Sequence, residues 1–433
     1  MIDIQIVRDN PELVKEKSKQ KGYDIDIVEL LRIDDHKRDL QQKVEQLRAE
    51  RNELASSAKG QKPSDDQVTK GKALKEKSVK LEEDLAKTEK QFTELLNIVP
   101  NMPLDEVPVG TSEDENKVVE TVGNKPHFDF KPKSDAELGM QSDTIDKERA
   151  TKVAGTRFAY IKGDLVHLQF AIIQLVFDTL ADKSIIEALI KDKNLNIEPK
   201  TFVPILPPAM VKTAPYAASG RLDAQEVTYK LADDELWMNA SAEHSLCTMY
   251  MNEIFDEADL PIRYVGYATS FRREAGSYGK DAEGIFRMHQ FDKIEMEVFS
   301  TAETGLAEHK LLVAVQEYLV NLLELPYQLI QKCTADIGGP NAQGVDINTW
   351  MPAQNNYRET HTADYMTDYQ ARSLRTRVRR SGGELEFVHT NDATAFALGR
   401  IMKAIMENNQ TSDGKIRIPK VLQKYMNGKE TIL

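Results

Sequence analysis

Two extended runs joined by a glycine-rich connection constrain the fold of this 433-residue chain more than any other feature of its sequence. The first run ends near Phe271, the connection covers residues 275–279, and the second run extends from Ile285 to Met296. Such a pattern is typical of a β-hairpin with a long loop. The sequence therefore predicts that a long antiparallel hairpin forms part of the fold.

Side-chain alternation divides the second run of this hairpin into an apolar face and a charged face. The predicted core face consists of Phe286, Met288, Ile294, Met296 and Val298. The opposite face consists of Arg287, His289, Phe291, Lys293 and Glu295. Mixed charges are also ordinary on a solvent-exposed sheet face, but Arg272 and Glu274 add a cation and a carboxylate beside the loop. Because arginine grips phosphate or carboxylate with paired hydrogen bonds, this face predicts the lining of a binding site.

Residues 27–99 carry the pattern of two long helices, since they are rich in Leu, Lys, Glu, Gln and Ala and nearly free of proline. Apolar residues recur at coiled-coil spacings, at Ile33, Leu40, Val44, Leu47 and Leu54, and again at Leu74, Leu81, Leu85, Phe92 and Leu95. A helix-breaking turn is predicted at residues 56–65, with Ser64 as the cap of the second helix. Dimerising coiled coils are the more common use of such patterns, but the central turn favours an antiparallel two-helix arm of about 45 Å.

Prolines follow this arm and divide the chain into two predicted domains. Pro100 and Pro103 end the second helix, because proline cannot continue a helix. We expect an N-terminal domain of residues 1–100 and a globular body of residues 101–433. In the body, helices predicted at 167–180, 304–323 and 395–408 are scattered among short strands, which indicates an α+β fold rather than βαβ alternation.

The net charge of −13 argues against attraction of the whole surface to nucleic acid, so a nucleic-acid partner requires a local basic patch. One candidate patch is rich in lysine and comprises Lys70, Lys72, Lys75, Lys77, Lys80, Lys87 and Lys90. The other is rich in arginine and comprises Arg372, Arg375, Arg377, Arg379 and Arg380. Taken alone, each is more commonly a solvated helix face or a charged strand or loop.

Cysteine content and hydropathy predict a cytoplasmic protein without a membrane segment. Cys247 and Cys333 are the only cysteines and have no paired spacing, so neither a disulfide nor a structural zinc site is expected. The sequence contains no apolar run that we expect to span a bilayer, and the start at Met1 lacks the basic region of a secretory signal.

Several residues have the chemistry of a nucleotide site, which needs a stacking surface, cations for phosphates and oxygens for a divalent metal. Phe291 offers an aromatic face, and Arg272 and Arg287 offer guanidinium forks. Glu359 is a candidate ligand for Mg²⁺, which prefers hard oxygens and commonly takes one or two from the protein. By itself, Glu359 is equally compatible with a surface salt bridge.

The same residues carry a resemblance to a known family. The hairpin resembles motif 2 of class II aminoacyl-tRNA synthetases, and residues 271–279 with 287–291 are similar to seryl-tRNA synthetases of the bacterial type. The strand and helix leading to Arg400 resemble motif 3, and residues 206–211 resemble the proline-ended strand of motif 1, which lies at the dimer interface in the family. The resemblance extends over essentially the whole chain. It implies a class II antiparallel β-sheet flanked by helices, with the two-helix coiled-coil arm at the N terminus.

The resemblance implies an ATP-dependent ligase that joins L-serine to tRNA(Ser) through a seryl-adenylate. In the family the arm grasps the tRNA, which assigns tRNA binding to Lys70, Lys72, Lys75, Lys77 and Lys80. Other expected partners are tRNA(Sec), as a second tRNA, and a second copy of the chain in a homodimer.

The family motifs also imply a role for individual residues of the body. The catalytic residues would be Arg272, Arg287 and Arg400, with Arg400 and Phe291 enclosing the adenine. ATP would contact Arg272, Arg273, Glu274, Arg287, Phe291, Glu359, Thr360, His361, Thr362 and Arg400. Magnesium would be held by Glu359 and Thr362. Serine would contact Ser241, Ala242, Glu243, Arg272, Glu295, Asp392 and Thr394.

Some positions depart from the family pattern. Ser241 replaces a threonine, Asn348 replaces a glutamate, and Asp392 stands where asparagine is usual, which exchanges a hydrogen-bond donor for a charge. One alternative is therefore a catalytically silent or divergent paralogue that binds RNA or protein. Another is adenylation of serine for an acceptor other than tRNA, against which the retained arm argues.

Overall fold

The computed structural model describes residues 1–57, 64–222, 228–274 and 283–432. Most of the predicted turn at 56–65 and the glycine-rich connection at 275–279 lie outside the described residues. The chain divides into two compact units, Met1–Met102 and Pro103–Leu433.

The N-terminal unit is helical in its described part. Its helices are α1 (Ile4–Asp9), α2 (Pro11–Gln20), α3 (Ile27–Ser57) and α4 (Asp65–Ile98). α3 and α4 pack against each other, with Leu40, Val44 and Leu47 buried. Arg48 of α3 pairs with Glu82 of α4 at 3.1 Å. The predicted two-helix arm is confirmed.

The ends of this arm follow from local sequence chemistry. The Ser64 hydroxyl accepts a hydrogen bond from the Gln67 amide, and the Gln67 side chain accepts one from the Ser64 amide, which together form a capping box. Lys37 near one end of the arm lies 3.3 Å above the ring of Phe92, so α3 and α4 run antiparallel. α4 ends at Ile98, just before Pro100.

The C-terminal unit mixes helices and strands. Its helices are α5 (Asp135–Gln141), α6 (Lys147–Ala154), α7 (Asp164–Ala181), α8 (Lys183–Asp192), α9 (Thr213–Ala218), α10 (Glu243–Leu246), α11 (Gly305–Leu322), α12 (Tyr369–Leu374), α13 (Leu398–Asn408) and α14 (Lys420–Gln423). Its strands are β1 (Lys117–Val122), β2 (Ile145–Asp146), β3 (Tyr160–Ile161), β4 (Val203–Ile205), β5 (Met210–Lys212), β6 (Leu236–Met238), β7 (Ile254–Asp256), β8 (Ile262–Phe271), β9 (Gln290–Ser300), β10 (Tyr327–Gln331), β11 (Gln343–Met351), β12 (Asn356–Thr367), β13 (Arg377–Arg379), β14 (Leu385–Phe387), β15 (His389–Ala397), β16 (Ile416–Arg417) and β17 (Thr431–Ile432).

Among the described residues, eight strands form one large sheet in the order β1-β10-β11-β12-β15-β9-β8-β4. Neighbouring strands run antiparallel, except for the edge strand β4, which is parallel to β8. Helices α7, α11 and α13 pack on the sheet and bury its apolar residues in the main core. The predicted α+β fold, with an antiparallel sheet flanked by helices, is confirmed.

The predicted hairpin forms, with one correction to the start of its second strand. β8 and β9 pair over their whole length, from Ile262 opposite Phe299 to Phe271 opposite Gln290. Ile294, Met296 and Val298 are buried in the main core, as predicted.

Phe286 and Met288 were wrongly placed on this strand. β9 begins only at Gln290, because the His289 amide donates to the carbonyl oxygen of Arg157 instead of extending the strand. Both residues precede the strand, but Phe286 is buried in the main core and Met288 packs against it, as predicted. Both also line a pocket.

Two of the predicted helices form close to their expected positions, as α7 and α11. The third begins later than predicted, because Phe396 and Ala397 still pair with Ile294 and Lys293 of β9, which leaves residues 395–397 in β15. α7 is long and apolar enough, by length and composition, to cross a membrane, which the sequence analysis did not expect. Its residues Leu168 and Ile172 are packed in the main core of this unit.

Candidate active site

A pocket opens on the large sheet where β9, β12 and β15 meet the start of α13. Its lining consists of Arg272, Glu274, Ile285, Phe286, Arg287, Met288, Phe291, Lys293, Glu359, Thr360, Thr362, Thr394, Ala397, Gly399 and Arg400. The lining brings together three arginines that lie far apart in the sequence, Arg272, Arg287 and Arg400. Most of the predicted ATP-binding residues therefore share one concave surface.

Arg400 reaches the pocket from the first turn of α13. Its guanidinium donates to the side-chain Oε1 of Glu359 at 2.8 Å and to the Glu359 carbonyl oxygen at 3.0 Å. Burial opposes ionisation of Glu359, but the charges of Arg400 and Lys332 outweigh it and lower the pKa of Glu359 to about 2. The carboxylate is therefore ionised at neutral pH.

Two arginine–aromatic contacts border the pocket. The Arg272 guanidinium carbon lies 5.3 Å from the ring centroid of Phe291, and that of Arg400 lies 5.0 Å from the ring centroid of Phe286. Both distances are within the range of cation–π attraction. Phe291 and Arg400 line the same pocket, and their enclosure of adenine stays a prediction. Sequence reasoning assigned Phe286 only to the core, where it is buried, and missed that it also lines the pocket.

The other predicted phosphate-binding arginines differ in their surroundings. Arg272 donates to the Ala240 carbonyl oxygen at 3.0 Å, and burial together with the charge of Arg400 lowers its pKa. Arg287 donates to Glu274 at 3.1 Å. Its Nε is buried without a hydrogen-bond partner among the described residues. Such an unsatisfied donor in a pocket wall is suited to an anionic ligand.

Two predicted ATP-binding residues do not line this pocket. Arg273 donates to the Thr228 carbonyl oxygen at 2.8 Å and stacks on Tyr229. His361 is buried beside Phe396, with 5.3 Å between the ring centroids, and burial lowers its pKa to about 3.

The two predicted magnesium ligands lie on β12 and both line the pocket. The Thr362 hydroxyl oxygen and the Asn348 amide oxygen are buried without a hydrogen-bond partner in the described part of the chain. The same part contains no group of three or more His, Cys, Asp and Glu residues that could hold a metal ion. The residues present therefore fit a hard cation that takes few protein oxygens and completes its shell with phosphate.

A buried polar cluster next to the pocket holds predicted serine-binding residues. Glu295 accepts a hydrogen bond from the Glu243 amide at 3.1 Å and another from the Ser241 hydroxyl. Lys293 donates to the Ser241 hydroxyl at 3.2 Å and forms an ion pair with Glu295. Burial opposes the charge of Glu295, but Lys293 outweighs it and lowers the pKa of Glu295. Ala242 is fully buried beside this cluster.

Arg221, which sequence reasoning missed, connects this cluster to further acidic residues. Its guanidinium lies 2.7 Å from Glu243, 3.4 Å from Asp392 and 3.8 Å from Asp364. Gln370 also donates to Glu243, at 3.0 Å. No local sequence signal marks Arg221, because its partners come from distant segments of the chain.

Both basic patches of the sequence contain ion pairs in the structure, and in the lysine-rich patch Lys70 pairs with Asp66 at 2.9 Å. The predicted tRNA-binding residues Lys70, Lys72, Lys75, Lys77 and Lys80 are all exposed on α4. In the arginine-rich patch, Arg372 pairs with Asp368 at 2.7 Å and Arg380 with Glu303 at 2.9 Å. Local carboxylates therefore neutralise much of the second patch, which favours its interpretation as an ordinary charged surface.

Comparison with known proteins identifies the family. Residues 1–103 match the seryl-tRNA synthetase N-terminal domain, and residues 227–409 match the tRNA synthetase class II core domain (G, H, P, S and T). The chain is 35% identical to the serine–tRNA ligase of Nitrosopumilus maritimus over 438 residues, and 37% identical to that of Exiguobacterium sibiricum over 439 residues. Each alignment covers 100% of both chains.

Solved structures agree with this assignment. The crystal structure of seryl-tRNA synthetase from Pyrococcus horikoshii complexed with ATP has a TM-score of 0.87 and 34% identity, and the match covers 100% of this chain and 99% of that chain. The cytoplasmic serine–tRNA ligase from Naegleria fowleri in complex with AMP has a TM-score of 0.84 and 26% identity, with 100% of this chain and 98% of that chain covered. The chain therefore belongs to the seryl-tRNA synthetase family of class II aminoacyl-tRNA synthetases, the ATP-dependent ligases that join L-serine to tRNA(Ser) through a seryl-adenylate.

Proposed function

We propose that the pocket lined by Phe291 and Arg400 is where this serine–tRNA ligase forms seryl-adenylate. The observation that carries the proposal is the convergence of Arg272, Arg287 and Arg400 on one pocket. In this assignment residues 101–433 form the catalytic domain, and residues 1–100 form the tRNA-binding domain.

In the first step, the carboxylate of serine attacks the α-phosphorus of ATP in line, and pyrophosphate leaves. The three arginines hold the phosphates and stabilise the negative charge that builds up on their oxygens, so catalysis depends on positioning and electrostatics. Arg272, between Phe291 and the Ala240 carbonyl oxygen, is already fixed in place. In the second step, the 3′-terminal hydroxyl of the tRNA attacks the carbonyl carbon of the seryl-adenylate, which forms the ester bond, breaks the bond to phosphate and releases AMP.

We propose that Glu359 and Thr362 hold Mg²⁺. The ion would supply positive charge to the phosphates when bound. Ionised Glu359 offers one hard oxygen, and the buried Thr362 hydroxyl offers a second. The assignment can be tested without an activity assay. Binding of Mn²⁺ in the presence of ATP can be measured from its effect on the relaxation of water protons. Glu359→Gln should weaken that binding, and unchanged Mn²⁺ binding would contradict the assignment.

Serine binding is proposed for the polar cluster beside the pocket. Ionised Glu295 can receive the ammonium group, and Thr394, which lines the pocket directly opposite Glu295 in the sheet, lies near it. Ser241 and Glu243 fix Glu295 through hydrogen bonds, and Ala242 contributes a buried wall. A site that hydrogen-bonds a substrate hydroxyl rejects an analogue without it by about 10⁴–10⁵.

The experiment that tests the proposed site is ATP–pyrophosphate exchange with serine, threonine, alanine and cysteine. Exchange should depend on serine and be nearly absent with alanine. Thr394→Val, which removes one hydroxyl with little change in shape, should raise the KM for serine more than the KM for ATP. Equal exchange with alanine and serine would contradict a site built around the hydroxyl.

The exposed lysines of α4 support a role of the arm in tRNA binding, through contacts with phosphates that weaken as salt increases. By the same family resemblance, we include tRNA(Sec) as a second tRNA substrate and the cytoplasm as the location of the protein. Charging of both tRNA transcripts under identical conditions tests the tRNA assignment, and a failure to charge tRNA(Sec) would remove it.

We also propose a homodimer, in agreement with the predicted motif 1. The edge strand β4 and the residues after it expose Val203 (55%), Leu206 (76%) and Met210 (42%), and neighbouring α7 exposes Phe170 (59%). Exposed apolar side chains along an unpaired sheet edge are typical of an interface. Light scattering should give the mass of a dimer, and Leu206→Glu should shift that mass towards the monomer.

A further inference from the structure

We propose that Arg221 is a positioning residue for serine recognition, because it holds Glu243 and Asp392 in the arrangement that serine binds. This inference rests on the proposed serine site and adds to it a residue that contacts the binding groups rather than the substrate.

The contacts of Arg221 join separate elements of the catalytic unit. Its Nε donates to Glu243 Oε1 at 2.7 Å, at the start of α10. Its Nη2 donates to Asp392 Oδ1 on β15 at 3.4 Å and lies 3.8 Å from Asp364 on β12. All four side chains are largely buried, with Arg221 exposed by 17%. One guanidinium therefore fixes two predicted serine-binding carboxylates relative to each other.

The sheet places acidic side chains directly opposite one another at this point. Asp364 of β12 pairs with Asp392 of β15, and Asp392 pairs with Glu297 of β9. Like charges opposite each other on neighbouring strands are destabilising. This row of three acids, hereafter the acid row, therefore needs a counter-charge or bound protons.

Arg221 supplies the positive charge that the acid row needs. Burial and neighbouring carboxylates raise the pKa of Glu297 and that of Asp392 well above their usual values, and the positive charge of Arg221 opposes both rises. Lys293 is engaged with Ser241 and Glu295. Among the described residues, Arg221 is the cation that forms ion pairs with Asp392 and Asp364.

The acid row lies directly beside the residues proposed to contact serine. Asp392 and Thr394 are two residues apart on β15 and point to the same face, about 7 Å apart. Thr394 lines the pocket and pairs with Glu295. A displacement of Asp392 or Glu243 should therefore affect the residues proposed to bind serine more than it affects Phe291 and the phosphate-binding arginines.

The test uses steady-state ATP–pyrophosphate exchange on the full-length protein. Arg221→Met should raise the KM for serine by about tenfold or more while kcat and the KM for ATP change by less than about threefold, since a binding geometry and not a transition-state contact is lost. Arg221→Lys keeps the charge but lacks the planar fork, so it should recover only part of the serine affinity. Asp364→Asn added to Arg221→Met removes one uncompensated acid and should also recover part.

Arg263 provides a matched control, because it is another buried arginine of the same unit. It forms a fully buried ion pair with Glu308 at 2.8 Å, and its other partners are the carbonyl oxygens of Glu198 and Lys200. None of these groups belongs to the proposed site. Arg263→Met should lower the melting temperature without a selective rise in the KM for serine.

Several outcomes would overturn the inference. One is a KM for serine in Arg221→Met that equals that of the wild type. Another is an equally large rise in the KM for ATP in Arg221→Met, and a third is an equally large rise in the KM for serine in Arg263→Met. If Arg221→Met does not fold, Arg221→Lys decides: a selectively raised KM for serine supports the inference, and a wild-type value overturns it.

Failure of the inference is distinguishable from failure of the proposed serine site. Ser241→Ala and Glu243→Gln should each raise the KM for serine if that site is correct. When these two variants raise it and Arg221→Met does not, the role of Arg221 alone is wrong. When none of them changes it, the proposed serine site is wrong.

Discussion

Replacing Arg400 with alanine tests the proposed active site most directly. The guanidinium lines the pocket, lies 5.0 Å from the Phe286 ring and donates to Glu359 at 2.8 Å. Removing it deletes a positive charge and a stacking surface from the same position. Loss of one preorganised donor to a transition-state charge costs about 3–4 kcal/mol, or about 10²–10³ in kcat. Loss of stacking on a base adds about 1–3 kcal/mol to the cost of ATP binding.

Serine-dependent ATP–pyrophosphate exchange should therefore fall by about 10²–10³ in kcat, with a further rise in the KM for ATP. Affinity for tRNA, measured by filter binding or anisotropy, should remain nearly unchanged, because the proposed tRNA-binding lysines lie on α4 in the other unit. Arg358→Ala is a matched control: its guanidinium also stacks on Phe286, at 4.7 Å, but Arg358 does not line the pocket as described.

The reasoning is refuted if Arg400→Ala retains exchange within about threefold of the wild type, because an effect that small is under 1 kcal/mol. It is also refuted if Arg358→Ala loses as much activity as Arg400→Ala, since the common contact with Phe286 would then be the important one. A large loss of tRNA affinity in Arg400→Ala would contradict the proposed division between the two domains.

Three further predictions follow from the arm, from a buried ion cluster and from a buried histidine. Deletion of residues 40–88 should abolish tRNA charging while serine-dependent exchange persists, and unimpaired charging would contradict the role of the arm. Lys403 lies 2.6 Å from Asp135 and 2.5 Å from Glu407, and all three side chains are buried. Lys403→Met should lower the unfolding free energy in urea by about 3–5 kcal/mol, because it leaves buried carboxylates without their cation, and a loss under 1 kcal/mol would contradict this prediction. Burial lowers the pKa of His309 in the folded protein. The neutral His309 side chain therefore contributes to stability above about pH 6.5. This contribution is lost as the pH falls, because the unfolded chain then binds the proton more readily than the folded chain. His309→Gln should flatten this part of the stability curve measured by urea unfolding between pH 7 and pH 5, and an unchanged slope would refute it.

Local sequence patterns predicted those parts of the fold that depend on neighbouring residues. The apolar spacing from Ile33 to Leu54 was sufficient to predict α3, and the Ser64–Gln67 capping box marked the start of α4. The alternation of Ile294, Met296 and Val298 was sufficient to identify the buried face of β9. The same alternation placed Phe286 and Met288 in the core, as observed, but it did not predict that the strand begins only at Gln290, where the His289 amide just before it donates to the Arg157 carbonyl oxygen.

The end of β15 shows a similar failure at a helix start. The pattern of Ala397, Ile401 and Ala404 fits a helix face, but pairing of Phe396 and Ala397 with β9 keeps these residues extended. Hydrogen bonds to a neighbouring strand therefore outweigh local helical propensity at this position, and only the assembled sheet reveals them.

By itself, the sequence determined the helical arm, the hairpin and the identities of the arginines and carboxylates of the proposed active site, since these depend on short-range spacing and on motif wording. Only the tertiary structure decided which charges meet. Asp364, Asp392 and Glu297 become neighbours through the register of three strands, and Arg221 from a distant segment becomes the counter-charge of Asp364 and Asp392. The physical reason is that burial makes each of these charges depend on its partners, and those partners are chosen by strand register and not by position along the chain.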